Sequence, residues 1–147
     1  FVVAGVGPSR GTMEEAAAKS GVLQRLTFVG HVELVEEILW AMDVFLFPST
    51  ANEGVPQALL QAQACGIPAV VSDLPSIREA APHAVFCRPG DIGSFALAIQ
   101  NLLIDPAFAG RLSREGMDWV KTFDQDETMQ GLDRFYMGLV QNSQHGS

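Results

Sequence analysis

Basic side chains are scarce in this 147-residue sequence, where nine Lys and Arg stand against seventeen Asp and Glu for a formal net charge of −8. Long-range attraction to nucleic acid or to an anionic membrane is therefore not expected, although a local basic pocket for phosphate stays open. Cysteine is limited to Cys65 and Cys87, which form neither a disulfide framework nor a metal-ligand spacing. A reducing cytoplasm suits both. No stretch reaches the apolar length of a membrane span, and no charged segment with a cleavage site opens the chain. Membrane contact is thus not indicated. Internal repeats and low-complexity tracts are lacking too. What is present is 48% hydrophobic content and ordinary aromatic usage, which at this length suffices to bury roughly 70% of the unfolded surface in one core. One domain is expected over residues 1–142, with 143–147 read as an appended tail.

The most informative stretch runs from Ser49 to Asp73. Val44-Phe45-Leu46-Phe47 is a β-branched and aromatic run ended by Pro48, which predicts an interior strand of a parallel sheet. Pro56 suits the first turn of a helix, where its fixed φ is already helical and its missing N–H has no partner to lose. Val55 to Cys65 carries no charge, and its apolar residues point around most of the cylinder, which predicts a helix buried on several sides. Gly66 supplies a left-handed stop, Pro68 prevents continuation, and Ala69 to Val71 restart as a strand. Glu53 and Gly54 therefore sit beyond a strand's carboxyl end. Ligands of open α/β sheets bind there, and the N–H groups opening the next helix favour an anion.

The flanking chain alternates in the same way. Phe1 to Ala4 is already a strand, without an initiating Met, so the polypeptide looks like a piece of something longer. Gly5-Val6-Gly7-Pro8 follows as a turn, which is either plain or phosphate-facing, and Thr12 with Glu15 forms a capping box for a helix through Ser20, stopped by Gly21. Leu26 to Val29 is the next strand, and Glu36 to Met42 a short helix with Ile38 and Leu39 inward. His31, with no acid nearby in sequence, reads as a surface loop residue rather than a catalytic base. Leu74-Pro75-Ser76 opens a short helix in which Arg78 and Glu79 read as a solvated or paired surface. The Ser76 hydroxyl and the N–H groups of Ser76 and Ile77 are possible donors. Ala84 to Cys87 is a last strand, and Ile92 to Ile104 a helix burying Phe95, Leu97, Ile99 and Leu102 or Leu103. Asp105-Pro106 breaks and restarts the chain, with helices over about 107–122 and 127–139. Continuously apolar strands alternating with helices predict an α/β, Rossmann-like parallel sheet with helices on both faces.

EGVPQALLQAQACGIPAVVSD resembles the E-x7-E region of GT-B retaining glycosyltransferases, family 4 (group 1) in particular. Gly5-Val6-Gly7-Pro8, Phe28-Val29-Gly30-His31-Val32, Asp43, Ser76-Ile77-Arg78-Glu79 and Pro89-Gly90-Asp91 follow the family's landmarks in order. The resemblance spans almost the whole chain and implies the carboxyl-terminal, donor-binding half of such an enzyme, with a nucleoside-diphosphate sugar as substrate and no metal or other cofactor. It implies that Glu53, the catalytic position, contacts hydroxyls of the transferred sugar, and that Gln61 contacts the ribose. Gln61 departs from the family's second Glu, yet its amide can accept and donate a hydrogen bond. The resemblance further assigns Gly54, Val55, Gln57 and Ser76 to the donor's phosphates, Gly5 and Gly7 to a donor-facing loop, and Gly30, His31 and Val32 to the nucleobase.

The resemblance also implies that an Arg and a Lys one strand upstream, and an amino-terminal acceptor-binding domain, lie outside this chain. The fragment alone is then expected to be inactive. In that fold the last helix crosses to the amino-terminal domain, so Phe123, Phe135 and Tyr136 are candidate docking surface. Asp124-Gln125-Asp126 looks like the D-x-D of metal-dependent transferases, but Asp124 with Glu127 reads better as a helix cap. Alternatives to the transferase are another GT-B enzyme, an epimerase or phosphorylase, and a non-catalytic nucleotide-binding or interaction module.

Overall fold

A computed structural model describes residues 1–51, 54 and 56–123. The readings that fall on Glu53, Val55, Asp124 to Asp126, the helix over 127–139 and the tail lie outside the described residues. The chain divides into two compact units, residues 1–37 and 38–147.

In the first unit, β1 (Val2–Ala4) and β2 (Thr27–Gly30) pair in parallel, Val2 opposite Thr27 and Val3 opposite Phe28, with a register shift before Ala4 meets Gly30. The helix between them, α1 (Arg10–Lys19), begins two residues before the expected capping box. Thr12 and Glu15 lie inside it, and Ser9 stands at the cap without a side-chain hydrogen bond. The earlier start puts Arg10 and Glu14 one turn apart, where they pair at 2.8 Å, while Glu15 faces Lys19 at 3.7 Å. Gly21, at φ 69°, ends the helix region as expected. A short 3-10 turn over Leu23–Arg25, with no sequence signal, leads into β2. The next helix, α2 (Val35–Leu39), runs across the division of the chain and is shorter than the expected 36–42, with Leu39 buried.

The second unit is built on β3 (Phe45–Phe47), β4 (Ala69–Ser72) and β5 (Val85–Cys87), all parallel in the order β3-β4-β5. Among them β4 is interior and fully buried, whereas β3 is an edge of this three-stranded sheet, with Leu46 39% exposed. The expectation of an interior strand at Val44 to Phe47 is corrected here. A short apolar run measures the burial of alternate side chains, not the number of strands beside it, and Phe45 and Phe47 are buried enough to explain it.

Alternation along β4 feeds two cores. Ala69 and Val71 pack with Leu59 of α3 (Gln57–Ala64) and with Ile77 and Ala81 at α4 (Pro75–Ala80), joined by Phe45, Phe47 and Phe86. Val70 packs on the opposite face with Cys87 and with Phe95, Ala98 and Leu102 of α5 (Ile92–Ile104). Helices thus cover both faces of a parallel sheet, as the alternation predicts. Asp91 caps α5, accepting from the Ser94 N–H at 3.1 Å, and Asp105 caps α6 (Pro106–Val120), accepting from Phe108 at 2.9 Å. The buried face of α5 is 95, 98 and 102, so Leu97 and Leu103 point away, 58% and 57% exposed; burial of Leu97 is a second correction. Helical spacing of three and four from Phe95 reaches Ala98, Ile99 and Leu102 but not Leu97. Among the described residues no single helix is long and apolar enough to cross a membrane.

Candidate functional site

The loop after β3 leads through the exposed Gly54 to Pro56, which is buried at φ −76° and ψ 107°. Pro56 is therefore the cap of α3 rather than its first helical residue, and its carbonyl accepts from Leu59 at 3.0 Å and Leu60 at 3.2 Å. A proline cap has no side-chain acceptor to turn inward. The N–H groups of Gln57 and Ala58 have no acceptor within the helix, so the first turn keeps donors and the positive end of the helix dipole for a partner from outside. A β-carbon on Gly54 would meet nothing within 4 Å among the described residues. Gln57 and Gln61 are both exposed, and at about 1.5 Å per residue their α-carbons stand about 6 Å apart along one face. Neither side-chain amide has a hydrogen-bond partner among the described residues.

The rest of α3 is held from behind. Leu59, Ala62 and Gln63 are its buried residues, while Ala58 and Ala64 are exposed, so burial is one-sided rather than all round. Absence of charge had suggested more, but small alanines are neutral to exposure. Gln63 donates to the Ala80 carbonyl at 3.1 Å and packs against Gly116 of α6, where a β-carbon would come within 3.4 Å of it. At the far end Gly66, φ 73°, donates to Gln63 O at 2.9 Å and Ile67 to Ala62 O at 3.0 Å, the two bonds of a Schellman stop. The exposed face of α3 is thereby presented on a rigid support.

The carboxyl end of β4 supplies a second set of polar groups. The Ser72 and Ser76 hydroxyls are buried and have no hydrogen-bond partner among the described residues, an arrangement uncommon enough to call for an explanation. Of the other donors expected at this turn, the Ile77 N–H is already bonded to Leu74 O at 3.1 Å. Arg78 forms a two-pronged pair with Asp73 and lies 4.4 Å over the Phe86 ring. Its hydrogen bond to Asp73 holds that carboxyl below the usual carboxylate range, against a smaller opposing effect of desolvation. The pair reading is borne out for Arg78, and the partner is Asp73, five residues back across the turn.

Gly5, Gly7, Gly30, His31 and Val32 belong to the first unit. Gly5, φ 115°, donates to Gly30 O at 2.6 Å, and Gly30 itself is at φ 73°, so the two loops are joined through backbones only glycine adopts readily. His31 is exposed and Val32 half-buried. A cavity of about 200 Å³ opens beside the turn, lined by Gly5, Gly7, Ser9, Arg10, Met13 and Phe28. Arg10 had no place in the sequence reading; its position three residues after Gly7 was the available signal. A larger open cavity, about 300 Å³ at Asp105, Ala107, Phe108 and Arg111, contains none of the expected site residues. Among the described residues no group of three or more His, Cys, Asp or Glu is arranged to hold a metal ion.

Comparison with known proteins agrees with this architecture. Residues 1–105 match the family model of glycosyl transferases group 1. The chain is 42% identical over 73 residues to the putative glycosyltransferase EpsF of Bacillus subtilis (strain 168), covering 50% of this chain and 19% of that protein. It is 33% identical over 119 residues to glycogen synthase of Mycobacterium tuberculosis (strain ATCC 25618 / H37Rv), covering 78% and 28% respectively. The chain thus spans about a fifth of the one curated relative and little more than a quarter of the other. In fold it is similar to Anabaena Alr3699/HepE solved with UDP, at TM-score 0.84 and 18% identity over 93% of this chain and 40% of that one. It is also similar to sucrose-phosphate synthase of Thermosynechococcus elongatus, at TM-score 0.82 and 24% identity over 96% and 38%.

Proposed function

The chain belongs to the glycosyl transferases group 1 family, and from that premise we propose that it binds the nucleoside-diphosphate sugar donor of a retaining, family 4 sugar transfer. The start of α3 carries the reading. Its first-turn N–H groups at Gln57 and Ala58, which the Pro56 cap leaves without a side-chain acceptor, suit a diphosphate, and the positive helix end stabilises the charge that grows on the leaving group as the sugar departs. Gln61, exposed one turn further on, accepts and donates one hydrogen bond to the ribose hydroxyls. Glu53 orients the sugar, and the acceptor attacks from the face that the diphosphate leaves. Glu53 is not a nucleophile in this scheme, and no metal is required. The acceptor is held by a further domain of the same protein.

UDP is the first nucleotide to test, because HepE was solved with UDP, with UDP and glucose, and with UDP-glucose. Calorimetric titration of UDP and its sugar conjugates, beside other nucleoside diphosphates, tests binding without requiring catalysis. Gln61→Ala is expected to weaken the bare nucleotide several-fold and Glu53→Ala only the sugar conjugate. Equal affinities for the parent and both variants contradict the assignment.

A further inference from the structure

We propose that the cavity beside Gly5 and Gly7 is a phosphoryl-binding subsite in which Arg10 makes the charged contact. The inference goes beyond the donor-binding reading at α3 and concerns the first unit by itself. At about 200 Å³ the cavity is smaller than the roughly 300–1,000 Å³ of sites that enclose a whole small molecule, so it suits one group of a larger ligand.

Arg10 is held from two directions. Its Nε donates to Glu14 Oε1 at 2.8 Å, and its guanidinium carbon lies 5.3 Å from the centre of the Phe28 ring, which also lines the cavity. Both contacts fix the guanidinium while leaving its two terminal amino groups without a partner among the described residues. A fixed fork with free terminal donors is the geometry that recognises phosphate oxygens in two places at once. The Ser9 side chain, on the same wall, is a second polar group without a partner among the described residues.

Gly7 adds an independent observation. Gly5 needs glycine because its φ is 115°, but Gly7 is not left-handed and a β-carbon on it would meet nothing within 4 Å. Neither backbone conformation nor packing asks for glycine at position 7; the missing side chain keeps the cavity wall low.

The test is titration of inorganic pyrophosphate, UDP and uridine into the 147-residue chain, with Arg10→Gln, Glu14→Gln and Gly7→Val beside the parent. Pyrophosphate and UDP are expected to bind in the millimolar range or tighter and uridine more weakly. Arg10→Gln should lower both affinities about tenfold, the effect of about 1.4 kcal/mol, with little change in unfolding midpoint because the pair is exposed. Glu14→Gln should match or exceed the parent, since the amide oxygen still accepts from Nε while a nearby negative charge is gone. Gly7→Val should fold normally and bind less. Pyrophosphate binding that Arg10→Gln leaves unchanged, equal losses in Arg10→Gln and Glu14→Gln, or no binding of either phosphate ligand overturns the inference. UDP binding lost on Gln61→Ala but untouched by Arg10→Gln overturns it while preserving the α3 assignment; the converse pattern preserves this subsite and removes that assignment.

Discussion

Replacing Gly66 by alanine tests whether the stop of α3 is a matter of backbone conformation. Gly66 sits at φ 73°, where an L side chain costs about 1–2 kcal/mol. The new β-carbon would stand 3.1 Å from Met117 Sδ and 3.3 Å from Ser113 Oγ. Met117 is unbranched and can swing aside, but Ser113 donates to the Gly66 carbonyl, so its retreat weakens a hydrogen bond worth about 0.5–1.5 kcal/mol. Restricting the unfolded chain returns about 0.4–1 kcal/mol. A net loss of about 1–2 kcal/mol is expected, a fall on the order of 1 M in urea midpoint at a slope of about 1–3 kcal/mol per M. Gly66→Asn separates the causes, because asparagine tolerates the left-handed region and retains only the crowding against α6. Far-UV circular dichroism against urea is the assay. A Gly66→Ala chain that unfolds at or above the parent's midpoint would refute the account of how α3 ends.

Two further outcomes follow from the second unit. Because Asp73 titrates below the usual carboxylate range in the folded chain, its pair with Arg78 stabilises the fold above the ordinary aspartate pKa and is lost as pH falls through the lowered one. Acid denaturation of Asp73→Asn should therefore show a shallower loss of stability below about pH 4 than the parent; identical acid limbs would mean that the pair persists in the unfolded chain. Leu102→Ala should cost about 2–5 kcal/mol and Leu97→Ala within about 0.5 kcal/mol, as read by thermal unfolding, since Leu102 is buried at 3% and Leu97 is 58% exposed. Similar losses at both positions would mean that the exposed face of α5 is covered in solution.

Punctuation was the most legible feature of the sequence. Gly21 and Gly66 stop the chain where expected, both at positive φ, because only glycine takes that conformation without strain. Asp105-Pro106 likewise breaks α5 from α6, with the Asp105 side chain capping the new helix. What the sequence could not supply depends on where each element begins and on what it meets once folded. Thr12 and Glu15 satisfy a capping pattern that the helix does not use, because α1 begins earlier at Arg10 and its first turn pairs Arg10 with Glu14. The Asp73–Arg78 fork needs the β4–α4 turn to bring two residues together that no helical or strand period relates. The one-sided burial of α3 is set by Ala69, Val71 and Ile77 around Leu59 and by Gly116 of α6 against Gln63, the last more than fifty residues away. At the candidate site, a helix start near Pro56 and the polar positions Gln57, Gln61 and Ser76 were legible, whereas the role of Pro56 as cap, the place of Arg10 and the buried Ser72 hydroxyl emerged only from the fold.

The most direct measurement is the backbone amide spectrum of the isotope-labelled chain during titration with UDP. Donor binding at the start of α3 is expected to move the Gln57 and Ala58 resonances first and most, with saturation, and to leave the exposed residues of α5 unmoved. Saturable binding that shifts other amides while Gln57 and Ala58 stay in place would contradict the placement of the donor on this helix.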